Sequence, residues 1–182
     1  MIIRKLLISN RGEIASRIIR SAHDMGISCV AIYTEADTNT PYVREADQAF
    51  KLSDTYLNAK EILEIAKKND VDAIHPGYGF LSENANFANS VKKAGIKWVG
   101  PSANAIKKMG DKLTAKTLAE KVGVPTLPMG TSSKDAKNIG YPILVKAAAG
   151  GGGKGMRIVD DAKDLKESIA SAEREAEGGF WR

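Results

Sequence analysis

At 182 residues, 43% hydrophobic and 27% charged, the chain has room for one ordinary domain and part of a second, and its composition excludes wholesale disorder. Lys and Arg exceed Asp and Glu by only 27 to 22, and Lys67, Lys68, Lys92, Lys93, Lys107 and Lys108 are spread over separate helices, which argues against a nucleic-acid partner. No apolar run approaches the roughly 18 residues of a membrane span, and the start has no signal-peptide pattern, so no membrane partner and a cytoplasmic location are expected.

Lys5–Ser9 is expected as a strand, followed by an amphipathic helix that puts Ile14, Ile18 and Ala22 on one face and stops at Gly26. The turn between them, Ser9-Asn10-Arg11-Gly12-Glu13, has one glycine where a dinucleotide-binding turn shows G-x-G-x-x-G, which disfavours an NAD enzyme. Ser28–Tyr33 is a second strand. Its apolar neighbours make Cys29, the single cysteine, a buried and inert thiol with no intramolecular disulfide partner. Gln48–Leu52 is a third strand; Asn58 then caps a helix over Ala59–Lys68, with Ile62, Ile65 and Ala66 inward. Ala73–His75, a helix over Asn84–Ala94, and a strand over Lys97–Val99 ending at Gly100-Pro101 complete the pattern. Strands alternating with helices at this spacing imply an α/β fold, a Rossmann-like parallel sheet wrapped on both faces, over residues 1–108.

Short helices at Ser102–Lys108 and Asp111–Lys121, capped by Ser102 and Asp111, lead into a second region, 109–182. There an apolar strand, Tyr141–Ala147, precedes Ala148-Ala149-Gly150-Gly151-Gly152-Gly153-Lys154-Gly155, and Met156–Val159 is another strand. Asp160 or Asp161 caps a last helix with Leu165, Ile169, Ala172 and Ala176 inward; Gly178-Gly179 read as its frayed end, and Phe180 and Trp181 as apolar groups without a core. Four consecutive glycines let backbone N–H groups approach an anion closely. Gly155 and a strand follow Lys154, not Ser or Thr and a helix, so this is no Walker A loop; it resembles the lid that kinases and ATP-grasp enzymes lay over nucleotide phosphates. Lys146, flanked by Ile143, Leu144 and Val145, needs a partner or an exit to water.

A third candidate is His75-Pro76-Gly77-Tyr78-Gly79-Phe80-Leu81-Ser82-Glu83-Asn84, a shaped polar turn between a strand and a helix, where open α/β sheets place ligand loops. His75 alone reads as a structural histidine. Two His and one Cys give no metal-site spacing, so no metal site is expected within the chain, and no Ser-His-Asp or Cys-His signature stands out.

In order along the chain, Ile8–Ala15, His75–Asn84, Met109-Gly110-Asp111-Lys112, and Tyr141 through Lys146 and the glycine loop to Arg157 resemble the biotin carboxylase family, with similarity from about Arg4 to Ala176. The resemblance implies a Rossmann-like (pre-ATP-grasp) domain followed by part of an ATP-grasp lid domain. The implied enzyme makes carboxyphosphate from MgATP and bicarbonate and carboxylates biotin on a carrier protein. It further implies that Lys112 and Lys146 contact ATP phosphates beneath Gly152 and Gly153, with Gly150, Gly151, Lys154 and Gly155 in the same lid. Tyr78 and Glu83 would line the bicarbonate–biotin side, and Arg17, Arg20 and Asp24 a homodimer face. Partners would be the biotin carboxyl carrier protein and the carboxyltransferase component. Ala149 stands where the family usually has another glycine, and Asp24 where a longer Glu is common. The family continues well beyond Arg182, so the adenine hinge, the acidic Mg²⁺ ligands and the Glu and Arg groups that handle bicarbonate and biotin are expected outside this chain. By itself the chain is expected to be inactive and its lid poorly held. Rival readings are another ATP-grasp ligase, such as a carbamoyl-phosphate synthetase or a purine-pathway carboxylase, and a non-catalytic dimerisation or nucleotide-binding fragment.

Overall fold

The structure, a computed structural model, describes residues 2–146 and 155–179. It contains two compact units, Met1–Ala115 and Lys116–Arg182.

The first unit alternates strand and helix: β1 (Lys5–Ile8), α1 (Gly12–Asp24), β2 (Ser28–Tyr33), α2 (Pro41–Glu45), β3 (Gln48–Lys51), α3 (Ala59–Lys68), β4 (Ala73–His75), α4 (Ala85–Lys93), β5 (Lys97–Trp98) and α5 (Ala103–Gly110). All five strands are parallel, in the order β3-β2-β1-β4-β5. Successive side chains of a strand point to opposite faces, and here both faces are covered, so the strands read as apolar runs. Leu7, Val30, Ile32 and Ile74 face a core shared with Ile62, Ala66, Phe87, Val91 and Ile106. Leu6, Ile8, Cys29, Ala31 and Ala73 face a second core with Ile14, Ala15, Ile18, Ile19 and Ala22 of α1. Phe87 meets Trp98 edge to face, ring centroids 5.6 Å apart, fixing α4 against β5.

The expected caps form. Asn58 accepts from the Glu61 amide at 3.2 Å, Ser102 from Ala105 at 3.1 Å and Asp111 from Thr114 at 2.7 Å; Asn84, expected as the first helical residue, is instead the cap of α4, accepting from Phe87 at 2.9 Å. In the first unit two elements have no counterpart in the sequence reading: a 3₁₀ turn at Glu35–Asp37 and α2, which starts at Pro41 and buries Tyr42. Both are shorter than the two turns a helical period needs to show itself.

In the second unit, α6 (Lys112–Lys121) spans the division and α7 (Ser133–Ile139) follows, its start held by a capping box between Ser132 and Asp135. The strand expected over Tyr141–Ala147 is β6 (Ile143–Lys146), paired antiparallel with β7 (Met156–Val159), Lys146 opposite Met156. Asp161, not Asp160, caps the turn into α8 (Leu165–Gly179), accepting from the Lys163 amide at 3.0 Å. The helix backbone runs through Gly179, so Gly178-Gly179 are not the frayed end that two glycines suggest. Val159, Leu165 and Ala136 form a small core with Tyr141, Ile143, Val145 and Ile169, while Leu144, Met156 and Ile158 are exposed. Of the predicted inner stripe of α8, Leu165 and Ala172 are buried and Ile169 packs on that core; the side chain of Ala176, with Phe180 and Trp181, lies outside the described residues.

Candidate functional site

In an open parallel sheet the ligand crevice lies beyond the carboxyl ends of the strands, where the strand order reverses. Here β1 and β4 are those neighbours. They deliver Ser9–Gly12 and Pro76–Leu81, 65 or so residues apart in sequence, into one assembly. The Ser9 amide donates to the His75 carbonyl at 2.9 Å. Asn10, only 2% exposed, donates from Nδ2 to the carbonyls of both Pro76 and Tyr78 at 2.7 Å. Gly77 is required twice: its φ is +65°, and a Cβ there would stand 2.6 Å from Asn10 Nδ2. Tyr78 donates its hydroxyl to Glu13 at the start of α1, and that bond raises the phenol's pKa. The turn after β1, read from sequence only as lacking a dinucleotide fingerprint, and the candidate turn after β4 are therefore a single cross-braced structure, and Glu13 joins it.

His75 accepts a hydrogen bond at Nδ1 from the Gly77 amide at 3.0 Å. Burial, and next the charge of Arg17, lower its pKa, so the ring is neutral at pH 7 and braces the turn, as a structural histidine should. Glu83 is exposed five residues beyond Tyr78, and no hydrogen bond joins the two among the described residues. Arg17, Arg20 and Asp24 all lie on the exposed side of α1, opposite Ile18, Ile19 and Ala22, and no ion pair links them among the described residues. Cys29 is fully buried, as expected; burial, then the charge of Asp47, push its thiol up to about 11, which disfavours it as a free nucleophile.

Sequence reasoning missed the group that anchors this end of the sheet. Asp37, 1% exposed, receives a two-pronged bond from Arg11, Nε to Oδ2 at 2.6 Å and a terminal nitrogen to Oδ1 at 2.5 Å, and a third from the Tyr56 hydroxyl at 2.6 Å. Tyr56 in turn pairs with the Tyr42 hydroxyl at 2.9 Å and accepts from the Thr34 amide at 3.1 Å. Arg11 sits at the mouth of β1, so this network ties the turn after β1 to the segments flanking β3. No local pattern connects positions 11, 37, 42 and 56, so nothing in the linear sequence announces it.

Arg11, and secondarily Tyr56, hold the Asp37 carboxyl below the usual carboxylate range against the opposing effect of burial. A depressed folded pKa adds stability that is fully present above the unfolded value, about pH 4, and is lost as pH falls through the folded one. Urea midpoints between about pH 2 and 5 should fall less steeply for Asp37→Asn than for the parent chain; equal slopes would contradict this coupling.

In the second unit Lys146 ends β6 with its side chain exposed, and Gly155, with φ +68°, is the turn residue just before β7. Gly150, Gly151, Gly152, Gly153 and Lys154 lie outside the described residues, as does the side chain of Lys112, whose backbone begins α6.

Two family models match this chain: "Biotin carboxylase, N-terminal domain" over residues 2–106 and "Carbamoyl-phosphate synthase L chain, ATP binding domain" over 111–182. Among curated relatives, the mitochondrial methylcrotonoyl-CoA carboxylase subunit alpha of Dictyostelium discoideum is 45% identical across 98% of this chain and 27% of its own length. Biotin carboxylase 1 of Bacillus subtilis is 45% identical across 98% of this chain and 42% of its own. The chain thus spans well under half the length of these relatives. The biotin carboxylase domain dimer of Hydrogenobacter thermophilus 2-oxoglutarate carboxylase, solved with MgADP, ADP and bicarbonate, superposes with a TM-score of 0.94 at 42% identity, over all of this chain and 43% of that one. No helix among the described residues is long and apolar enough to cross a membrane.

Proposed function

Since this chain belongs to the biotin carboxylase family, we propose that it supplies the first domain and the nucleotide lid of an enzyme that uses MgATP and bicarbonate to carboxylate biotin on a carrier protein. The observation that carries this reading is the continuous likeness, 45% identity over 98% of the chain, to biotin carboxylase 1 of Bacillus subtilis, beside the four motifs that stand in order along this sequence. The first family model also separates the chain from carbamoyl-phosphate synthetases, whose ATP-binding model matches only the second region.

In this reading Lys112 and Lys146 neutralise triphosphate charge that Mg²⁺ leaves uncompensated, and Gly150 to Gly155 close over the phosphates. A closed lid excludes water from carboxyphosphate, which hydrolysis would otherwise destroy. The chemistry supplied by Mg²⁺ would be neutralisation of negative charge that builds up on the phosphates during transfer. Its acidic ligands belong to the remaining lobe that the relatives possess, as do the groups that activate bicarbonate and hold biotin. Tyr78 and Glu83 face the bicarbonate–biotin side, the first oriented by Glu13. Arg17, Arg20 and Asp24 form a homodimer face; Asp24 is one methylene shorter than the Glu common there, which weakens any ion pair it makes. The carrier protein and a carboxyltransferase are the partners, and the free thiol of Cys29 suits a reducing cytoplasm.

A chimaera carrying this chain in place of the matching N-terminal 42% of the Bacillus subtilis enzyme tests the reading. It should carboxylate biotin from ATP and bicarbonate; a folded chimaera that cannot do so sinks the proposal.

A further inference from the structure

We propose that His23, Cys29 and Asp47 form a binding site for one zinc ion on the side of the first unit where α1 ends. Sequence spacing offered no such site, because the three donors come from separate elements: His23 from the last turn of α1, Cys29 from the start of β2 and Asp47 from the residue before β3. Folding brings one imidazole nitrogen, the thiol sulfur and a carboxylate oxygen within 4.8 Å of one another.

The cluster has the features of a site with an entrance. His23 and Asp47 are about half-exposed and meet at 2.9 Å, Nε2 to Oδ2, so an ion reaches them from water. Cys29 lies behind them, fully buried, and closes the floor. The carboxylate does not swing freely: its Oδ2 also accepts the Cys29 amide at 2.7 Å, which aims Asp47 at the cysteine's own strand and leaves Oδ1 for a ligand. Thiol, imidazole and carboxylate with one water complete a tetrahedral set for Zn²⁺, with ligand distances of about 2.0–2.3 Å. The thiolate selects against Ca²⁺ and Mg²⁺, which take oxygen ligands.

Binding breaks the Cys29 S–H bond and forms a sulfur–zinc bond, the proton leaving to solvent; His23 exchanges its contact with Asp47 for the metal. What the thiol gives up is small, since its contacts with the carbonyls of Ile19 and Ile27 are long, 3.9 and 3.7 Å. The loaded site clips the end of α1 to two neighbouring strands, one of them the edge of the sheet, and so stabilises the first unit by mass action.

Metal-free protein titrated with Co²⁺ and then Zn²⁺ tests this without any assay of catalysis. One cobalt per chain should bind with a sulfur-to-cobalt charge-transfer band, and zinc should displace it and raise the Tm. Cys29→Ser should abolish the band. As a buried change could disturb folding, the surface variants His23→Gln and Asp47→Asn serve as the second arm, and each should weaken zinc about 10-fold or more. Absence of the sulfur band from the parent chain, or zinc affinity in His23→Gln within about 2-fold of the parent, overturns the proposal.

Discussion

Lys146→Ala, placed in the chimaera described above, should lower bicarbonate-dependent ATP cleavage by about 10²–10³-fold in kcat/KM for ATP while leaving the fold intact. The size follows from the place of the side chain. It ends β6 as an exposed cation beside three apolar residues and makes no ion pair among the described residues, so little of the fold depends on it. Its proposed work is to meet phosphate charge that grows towards the transition state, where a fixed donor in a water-poor site acts far more strongly than in bulk solvent. Lys146→Arg keeps the charge and should recover part of the loss. A loss under about threefold in Lys146→Ala would remove this residue from the phosphate site.

Gly77→Ala should destabilise the first unit by about 2–4 kcal/mol, read from urea unfolding. Two costs add at this position: a left-handed φ, and a Cβ driven into the amide of Asn10, which backbone carbonyls on both sides hold in place. Gly79 supplies the control, since it has nearly the same φ, +64°, but open space around its Cβ. Gly79→Ala should cost only about 1 kcal/mol, and the difference between the two variants measures the brace between the turns after β1 and β4. Equal losses would mean that Asn10 yields and that the two turns are not locked.

The first unit was legible because its strands are buried on both faces and its helices on one. Runs such as Ser28–Tyr33 and the Ile14–Ile18–Ala22 spacing record those environments directly in residue type. Caps were legible for a similar reason, as Asn58, Ser102 and Asp111 act on amides three residues away. What escaped were α2, α7 and the Arg11–Asp37–Tyr56–Tyr42 network: the helices are too short to display a period, and the network joins residues through space alone. The zinc cluster was invisible for the second reason. The candidate site was legible as the glycine-bearing turn after β4, but that Asn10 and Glu13 weld it to the turn after β1 needed the adjacency of β1 and β4. Asn10 is the instructive case. A buried asparagine in a turn reads locally as turn chemistry, whereas its amide here satisfies two carbonyls more than 60 residues away.

The most direct test of the proposed function is ADP release by the chimaera, with and without bicarbonate and free biotin, beside the 182-residue chain alone and their Lys146→Ala forms. The chimaera should release ADP in a bicarbonate-dependent, biotin-stimulated manner that Lys146→Ala lowers by about 10²–10³-fold, while the chain alone stays at the level of its own Lys146→Ala control. A folded chimaera whose ADP release ignores bicarbonate, or a 182-residue chain that turns over ATP with bicarbonate well above its control, would contradict the proposed function.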